Sequence, residues 1–237
     1  MDKLKGLDLE GKLVLDAGTG ACGMTQYLRE WGAEVVSIDY RKDWQHDCKK
    51  QVDKAQFITG DLTDMPYLKD DSFDFIVCNF LVSALSESKD LLITSPLREF
   101  YRVLKENGKL VIIDYRPFHE NLYSGKLHDV QTDLWNLENA ISELLGKGHL
   151  QEYSPEILEK ELQAIGFSDT DISILMEKVK WPIDLLKEHE ENIKDDIEKL
   201  DEDYIKEALK KKLKNIMKRG EKQEVKSGSI YELRAVK

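Results

Sequence analysis

The chain has no run of about 18 consecutive apolar residues, so nothing in it is expected to span a membrane. Its first residues, Met1-Asp2-Lys3-Leu4-Lys5-Gly6, lack the apolar core of a secretory leader. Cysteine is scarce: Cys22, Cys48 and Cys78 are widely scattered. That pattern predicts reduced thiols in a cytoplasmic protein rather than a disulfide framework. There is no C-x-x-C, and His46, His119, His128, His149 and His189 lack metal-ligand spacing, so no metal site is expected. Positive charge is in deficit: 35 Lys and Arg against 46 Asp and Glu leave a formal net charge of −11. Neutralising many phosphates requires a basic face, which makes nucleic acid an unexpected partner. Internal repeats and low-complexity linkers are also missing.

What remains is a chain of 237 residues, 41% hydrophobic and 34% charged, suited to one large globular domain over 1–237. Its first half alternates two periodicities. Leu13 to Asp16, Glu34 to Asp39, Ala55 to Thr59, Phe73 to Asn79 and Leu110 to Tyr115 read as apolar strands. Cys22 to Trp31, ended by Gly32, reads as a helix, as do Trp44 to Val52 and Leu91 to Lys105. Apolar strands separated by helices imply a parallel sheet covered on both faces.

The second half is less regular. Val130 to Leu145 reads as a helix, and Ser154-Pro155-Glu156 starts another that Gly166 ends. Asp171 to Met176 and Ser229 to Val236 complete seven strands. Between those two strands, Leu186, Ile193, Ile197, Leu200, Ile205, Leu209, Leu213 and Ile216 recur at helical spacing. Asp201 is the expected N-cap separating an acidic helix from a basic one, and antiparallel packing would pair their charges. The 182–226 helices are also the candidate surface for a homodimer, although solvated faces explain the charges more cheaply.

The stretch richest in chemistry is Asp16-Ala17-Gly18-Thr19-Gly20-Ala21-Cys22-Gly23, a glycine-rich turn from strand to helix. Gly18, Gly20 and Gly23 match the dinucleotide pattern G-x-G-x-x-G. Asp16 opposes that assignment, because a carboxylate there would repel a pyrophosphate at close range. Asp39, about 20 residues later, can accept from both hydroxyls of a ribose and does not discriminate. Gly60-Asp61-Leu62-Thr63-Asp64-Met65-Pro66 follows the third strand, and Phe73-Asp74-Phe75-Ile76-Val77-Cys78-Asn79 forms the fourth. Arg98 to Leu110 then approaches the fifth.

In this order, from residue 12 to about 115, the set resembles class I S-adenosylmethionine (SAM)-dependent methyltransferases, in the broad group acting on small molecules. The resemblance implies a doubly wound α/β fold, with a seven-stranded, mostly parallel sheet whose seventh strand is antiparallel. It implies SAM as cofactor and S-adenosylhomocysteine as product. Asp16, Ala17, Gly18, Thr19 and Gly20 would seat the methionine portion of SAM, and the Asn79 carbonyl would accept from its ammonium. Asp39 would meet the ribose, Tyr40 would stack on adenine, and Asp61 and Leu62 would read the adenine edge. Cys22 stands where the family often has a third glycine, and Gly23 becomes a helix-packing residue.

Methyl transfer of this type rests mainly on in-line positioning, and a base is needed only when the acceptor must lose a proton. Tyr115 and His119, just past the fifth strand, are the candidate bases, with packing or surface roles as the plainer alternative. Asp61 could equally be a turn-former. Trp135, Trp181 and Tyr123 could line an acceptor pocket or simply be core. Insertions 116–153 and 182–226 leave from the rim where the methyl group would point and are the expected cap over the acceptor. A small-molecule acceptor comes first. The alternatives are a SAM-binding regulatory or protein-methylating module and, behind them, an NAD-dependent oxidoreductase.

Overall fold

The computed structural model describes residues 4–52, 56–85, 93–117, 130–147, 153–177, 180, 183–222, 225 and 228–237. Among them, seven strands form one sheet: β1 (Leu13–Ala17), β2 (Glu34–Asp39), β3 (Gln56–Thr59), β4 (Phe73–Asn79), β5 (Leu104–Tyr115), β6 (Ser168–Met176) and β7 (Ile230–Val236). The helices are α1 (Gly23–Glu30), α2 (Trp44–Gln51), α3 (Val82–Leu85), α4 (Thr94–Val103), α5 (Val130–Leu144), α6 (Pro155–Ile165), α7 (Ile183–Glu198) and α8 (Asp203–Gly220). The strand order is β3-β2-β1-β4-β5-β7-β6. Pairings from β3 through β5 are parallel, and β7 runs antiparallel to both β5 and β6. The expected doubly wound sheet with a reversed seventh strand is present.

Alternation along each strand sends neighbouring side chains to opposite faces. Val14, Phe75, Val77, Val111 and Ile113 join one buried cluster with Met24 and Leu28 of α1 and with Leu4, Leu7 and Leu9. Leu15, Ile76, Cys78, Leu110 and Ile112 join the other, beneath Leu97 and Phe100 of α4 and Leu158 and Leu162 of α6. This double coverage explains why the strands read as continuous apolar runs. Helix ends follow local chemistry. Gly32, at φ 82, donates to the Arg29 carbonyl while Ala33 donates to that of Leu28, closing α1 in a Schellman motif. Ser154 caps α6 by accepting from the Ile157 N–H at 3.3 Å.

Three boundaries differ from the sequence reading. The fourth helix stops at Val103, because Leu104 becomes extended and pairs with Phe73. Residues 105–108 bulge outward around Asn107 at φ 63 before regular pairing resumes at Lys109. β6 starts at Ser168, with an irregular step at Asp169. The N-cap of α8 is Glu202 rather than Asp201, and no side chain caps it. A fourth correction concerns the thiols. Cys22 and Cys48 form a disulfide, and Cys78 is free and buried. The two cysteines are 26 residues apart, and the packing of α1 beside α2 brings them together.

β5 ends at Tyr115, which pairs with Ile230 at the start of β7, and Met176 at the end of β6 pairs with Ile230 as well. Both insertions therefore leave from the edge at which β1 and β4 also end. Within these insertions α5, α7 and α8 share a core of their own, built on Leu134, Leu137, Ile193, Ile197, Leu213 and Ile216. Polar bonds tie the three together: Arg219 to Asp133, Lys210 to Glu198 at 2.6 Å, and His189 to Glu138 at 3.1 Å. Glu138 pulls the His189 imidazole above its ordinary value. No described helix is long and apolar enough to cross a membrane.

Candidate functional site

In a doubly wound sheet, ligands bind outside the carboxyl ends of the strands, where the strand order reverses. Here the reversal falls between β1 and β4. A cavity of about 370 Å³ lies at that point, lined by Asp16, Gly18, Thr19, Gly23, Met24, Tyr27 and Asn79. Four of the residues singled out from sequence meet there: Asp16, Gly18 and Thr19 from the end of β1, and Asn79 from the end of β4.

The loop above β1 keeps its shape through three left-handed residues, Gly18 at φ 69, Gly20 at φ 53 and Cys22 at φ 67. Gly18 is also needed for space, since a Cβ there would stand 2.3 Å from Leu81 Cδ1. The N–H groups of Gly18 and Thr19 both donate to the Ile38 carbonyl, at 2.8 and 3.1 Å. Gly20 donates to Asp39 Oδ2 at 2.9 Å, and Arg41 N–H donates to Oδ1 of the same carboxylate at 2.9 Å. The expected ribose acceptor is thus already part of the loop's own bonding.

Asp16 is almost wholly buried, with 1% exposure. The Thr19 and Thr25 hydroxyls both donate to its Oδ2 at 2.5 Å, and Ser37 lies 2.6 Å from the Thr25 hydroxyl. Its other oxygen, Oδ1, is buried without a hydrogen-bond partner. Burial pushes the carboxyl up to about 6, the two threonine bonds oppose this, and the charge of Asp39 adds to it.

Around this centre the remaining candidates spread out. Ala17 is buried within β1, and Tyr40 is 72% exposed beyond β2. Asp61 Oδ1 accepts from both the N–H and the hydroxyl of Thr63 at 2.8 Å, so this residue does form the turn that was its plainer alternative. Leu62 beside it is buried. That turn is anchored from α4. Glu99 accepts from Met65 N–H at 2.8 Å, and Arg102 donates to the carbonyls of Met65 and Leu68 at 2.8 and 2.9 Å. Tyr115 stands at the rim with its ring 4.9 Å from that of Phe80, outside the cavity lining. Phe80 holds φ 55, an uncommon conformation for a bulky residue. His119 and Tyr123 lie outside the described residues, as does Trp181.

Sequence reasoning missed Met24 and Tyr27 and gave Gly23 only a packing role, whereas all three line the cavity. The signal available was helical spacing, because Gly23 and Tyr27 are one turn apart on the first face of α1. Cys22 does not crowd the cavity; it is buried against Cys48, Val52 and Phe57.

Comparison with known proteins bears on this geometry. Residues 15–112 match a family model described as a methyltransferase domain. A demethylmenaquinone methyltransferase of Thermotoga maritima is 28% identical over 131 residues, 54% of this chain and 55% of that protein. A malonyl-(acyl-carrier protein) O-methyltransferase of Enterobacter lignolyticus is 29% identical over 97 residues, 41% of this chain and 36% of that one. The chain thus spans about half the length of such relatives, or less. A crystal structure of a SAM-dependent methyltransferase from Archaeoglobus fulgidus shares the fold at a TM-score of 0.58 and 19% identity, over 97% of this chain and 88% of that one. Residues 15–112, which hold this glycine loop, thus match a methyltransferase domain, and the fold around them is one shared with a known SAM-dependent methyltransferase.

Proposed function

We propose that the protein transfers a methyl group from SAM to a small-molecule acceptor held at the β1–β4 edge. The observation that carries this reading is Asp16 Oδ1, a buried carboxylate oxygen with no partner on a residue that lines the cavity. Such an atom fits a ligand bearing positive charge and opposes one bearing phosphate. SAM brings an ammonium and a sulfonium, and the sulfonium supplies an activated methyl group.

The chain's own residues then have defined tasks. Gly18 and Gly20 let the ligand approach the main chain closely, while the loop's own N–H groups stay bonded to Ile38 and Asp39. The Asp39 carboxylate would accept from ribose hydroxyls, its bond to Gly20 keeping it at the loop. Asp61 and the Leu62 N–H would hold the adenine, with Arg102 fixing the turn that presents them. The Asn79 carbonyl and Asp16 would orient the amino-acid end. Met24 and Tyr27 give the lining apolar and aromatic surface, and the Phe80–Tyr115 pair does the same at the rim. The cluster of α5, α7 and α8 would close the acceptor side.

The relatives named as acting on demethylmenaquinone and on malonyl-acyl-carrier protein support a small or carrier-held acceptor. The test is calorimetric titration with SAM, S-adenosylhomocysteine and NADH, followed by assay of S-adenosylhomocysteine formation across acceptors. SAM binding with turnover on one acceptor class is expected. Tighter binding of NADH than of SAM would overturn the reading, and Asp61→Ala should weaken SAM without affecting a dinucleotide.

A further inference from the structure

We propose that Cys22 and Cys48 form a reversible thiol–disulfide switch that sets how tightly the glycine loop holds its ligand. The inference rests on the reading that this loop binds SAM.

Cys22 occupies the last left-handed position of the loop, at φ 67, immediately before α1. Only glycine takes that conformation without strain, so a side chain here calls for a compensating contact. The disulfide to Cys48 of α2 is that contact, across a Cα–Cα separation of 4.9 Å that suits a bridge. It straps the loop to the helix that follows β2 and Asp39, the strand end to which Gly20 is already bonded. The strap also reaches the buried carboxylate: the Thr19 hydroxyl lies 3.4 Å from Cys22 Sγ and donates to Asp16.

Oxidation joins the two Sγ atoms. Two electrons and two protons leave the thiols for a low-molecular-weight disulfide, which departs as two thiols. A dithiol reverses the step and closes on itself as a cyclic disulfide. Once reduced, Cys22 is free to leave the left-handed region, and the loop loses part of its preorganisation. The oxidised chain is therefore the tighter binder. Linkage requires the converse too: bound ligand favours the disulfide. Both cysteines are fully buried, so exchange needs local opening of the loop, which a ligand in the cavity opposes.

The experiment uses the full wild-type chain in two states, treated with oxidised glutathione or with dithiothreitol. Alkylation after denaturation, read by mass, should find one reactive thiol, Cys78, in the first state and three in the second. Calorimetric titration with S-adenosylhomocysteine should show at least threefold tighter binding by the oxidised chain. Cys48→Ser should show the weaker affinity in both buffers. Equal affinities in the two states, or three reactive thiols after oxidation, would overturn the switch while leaving the cofactor reading intact. Absence of binding in both states would overturn the cofactor reading itself, and the switch with it.

Discussion

The main-chain N–H of Gly20 donates to Asp39 Oδ2 at 2.9 Å, coupling the glycine loop directly to the end of the neighbouring strand. One carboxylate thus fixes the loop and is also the acceptor we propose for a ribose. Cofactor affinity and local order at this point should respond together to substitution.

Asp39→Ala removes the acceptor for two main-chain donors, those of Gly20 and Arg41. Hydrogen bonds to charged groups are worth about 1.5–3 kcal/mol each, and Asp39 is nearly buried. We expect a loss of stability of about 3–6 kcal/mol in urea unfolding. Affinity for S-adenosylhomocysteine should fall at least tenfold. Loss of affinity with unchanged unfolding would show that the loop does not depend on this carboxylate.

Gly18→Ala tests a different constraint. The new Cβ would meet Leu81 Cδ1 at 2.3 Å, on a backbone already at φ 69. Overpacking and a left-handed side chain each cost about 1–3 kcal/mol. We expect a total near 2–4 kcal/mol. The double variant with Leu81→Ala should relieve the clash but not the backbone strain, so a double-mutant cycle would show coupling. Additive effects would mean that Leu81 does not need the glycine.

Asp16 predicts a pH dependence whose sign can be worked out. Its folded-state value, about 6, lies above the ordinary 3.8 because burial disfavours the charge. Between those values the folded chain holds more protons than the unfolded one, so this group's contribution to stability falls as pH rises from about 4 to about 6. The shift corresponds to roughly 3 kcal/mol. Asp16→Asn should flatten that slope and stabilise the free protein at pH 7. A cationic ligand prefers the ionised form, so SAM affinity of the wild type should rise from pH 5 to 7.5. The variant should bind more weakly, with little pH dependence. A wild-type affinity independent of pH would show that the charge of Asp16 is not felt by the ligand.

The legibility of these features in the sequence divides along physical lines. β1 and β4 could be read as buried strands because both faces are covered, and their order with Asp39 and Asp61 gave the fold. The start of β5 at Leu104 was hidden because the amphipathic period of α4 runs past it, and only pairing with Phe73 reveals it. The Cys22–Cys48 bond was invisible because it depends on how α1 lies against α2. Asp16 was found from its clash with a phosphate, but its unpartnered oxygen and raised pKa are products of burial. Tyr27 was missed because an aromatic in an amphipathic helix looks like core whichever way it faces.

Arg102 offers the most direct test of how α4 supports the proposed adenine turn. Its guanidinium donates to Glu99, Asp70 and the carbonyls of Met65 and Leu68. Asp70 is largely exposed, so that pair contributes little. The two carbonyls matter more, because a side chain of similar length without donors would leave them unmatched. Arg102→Met keeps the aliphatic packing and removes the bonds to all four partners, leaving Glu99 without its cation. We expect about 2–4 kcal/mol of destabilisation, insensitive to salt, since most of it comes from main-chain acceptors. Loosening of residues 65–70 should pass to Leu62, which is buried beside them. S-adenosylhomocysteine should therefore bind several-fold more weakly, whereas adenine-free homocysteine should be unaffected. Equal weakening of both ligands would place the effect in the loop over β1 rather than in the turn held by Arg102.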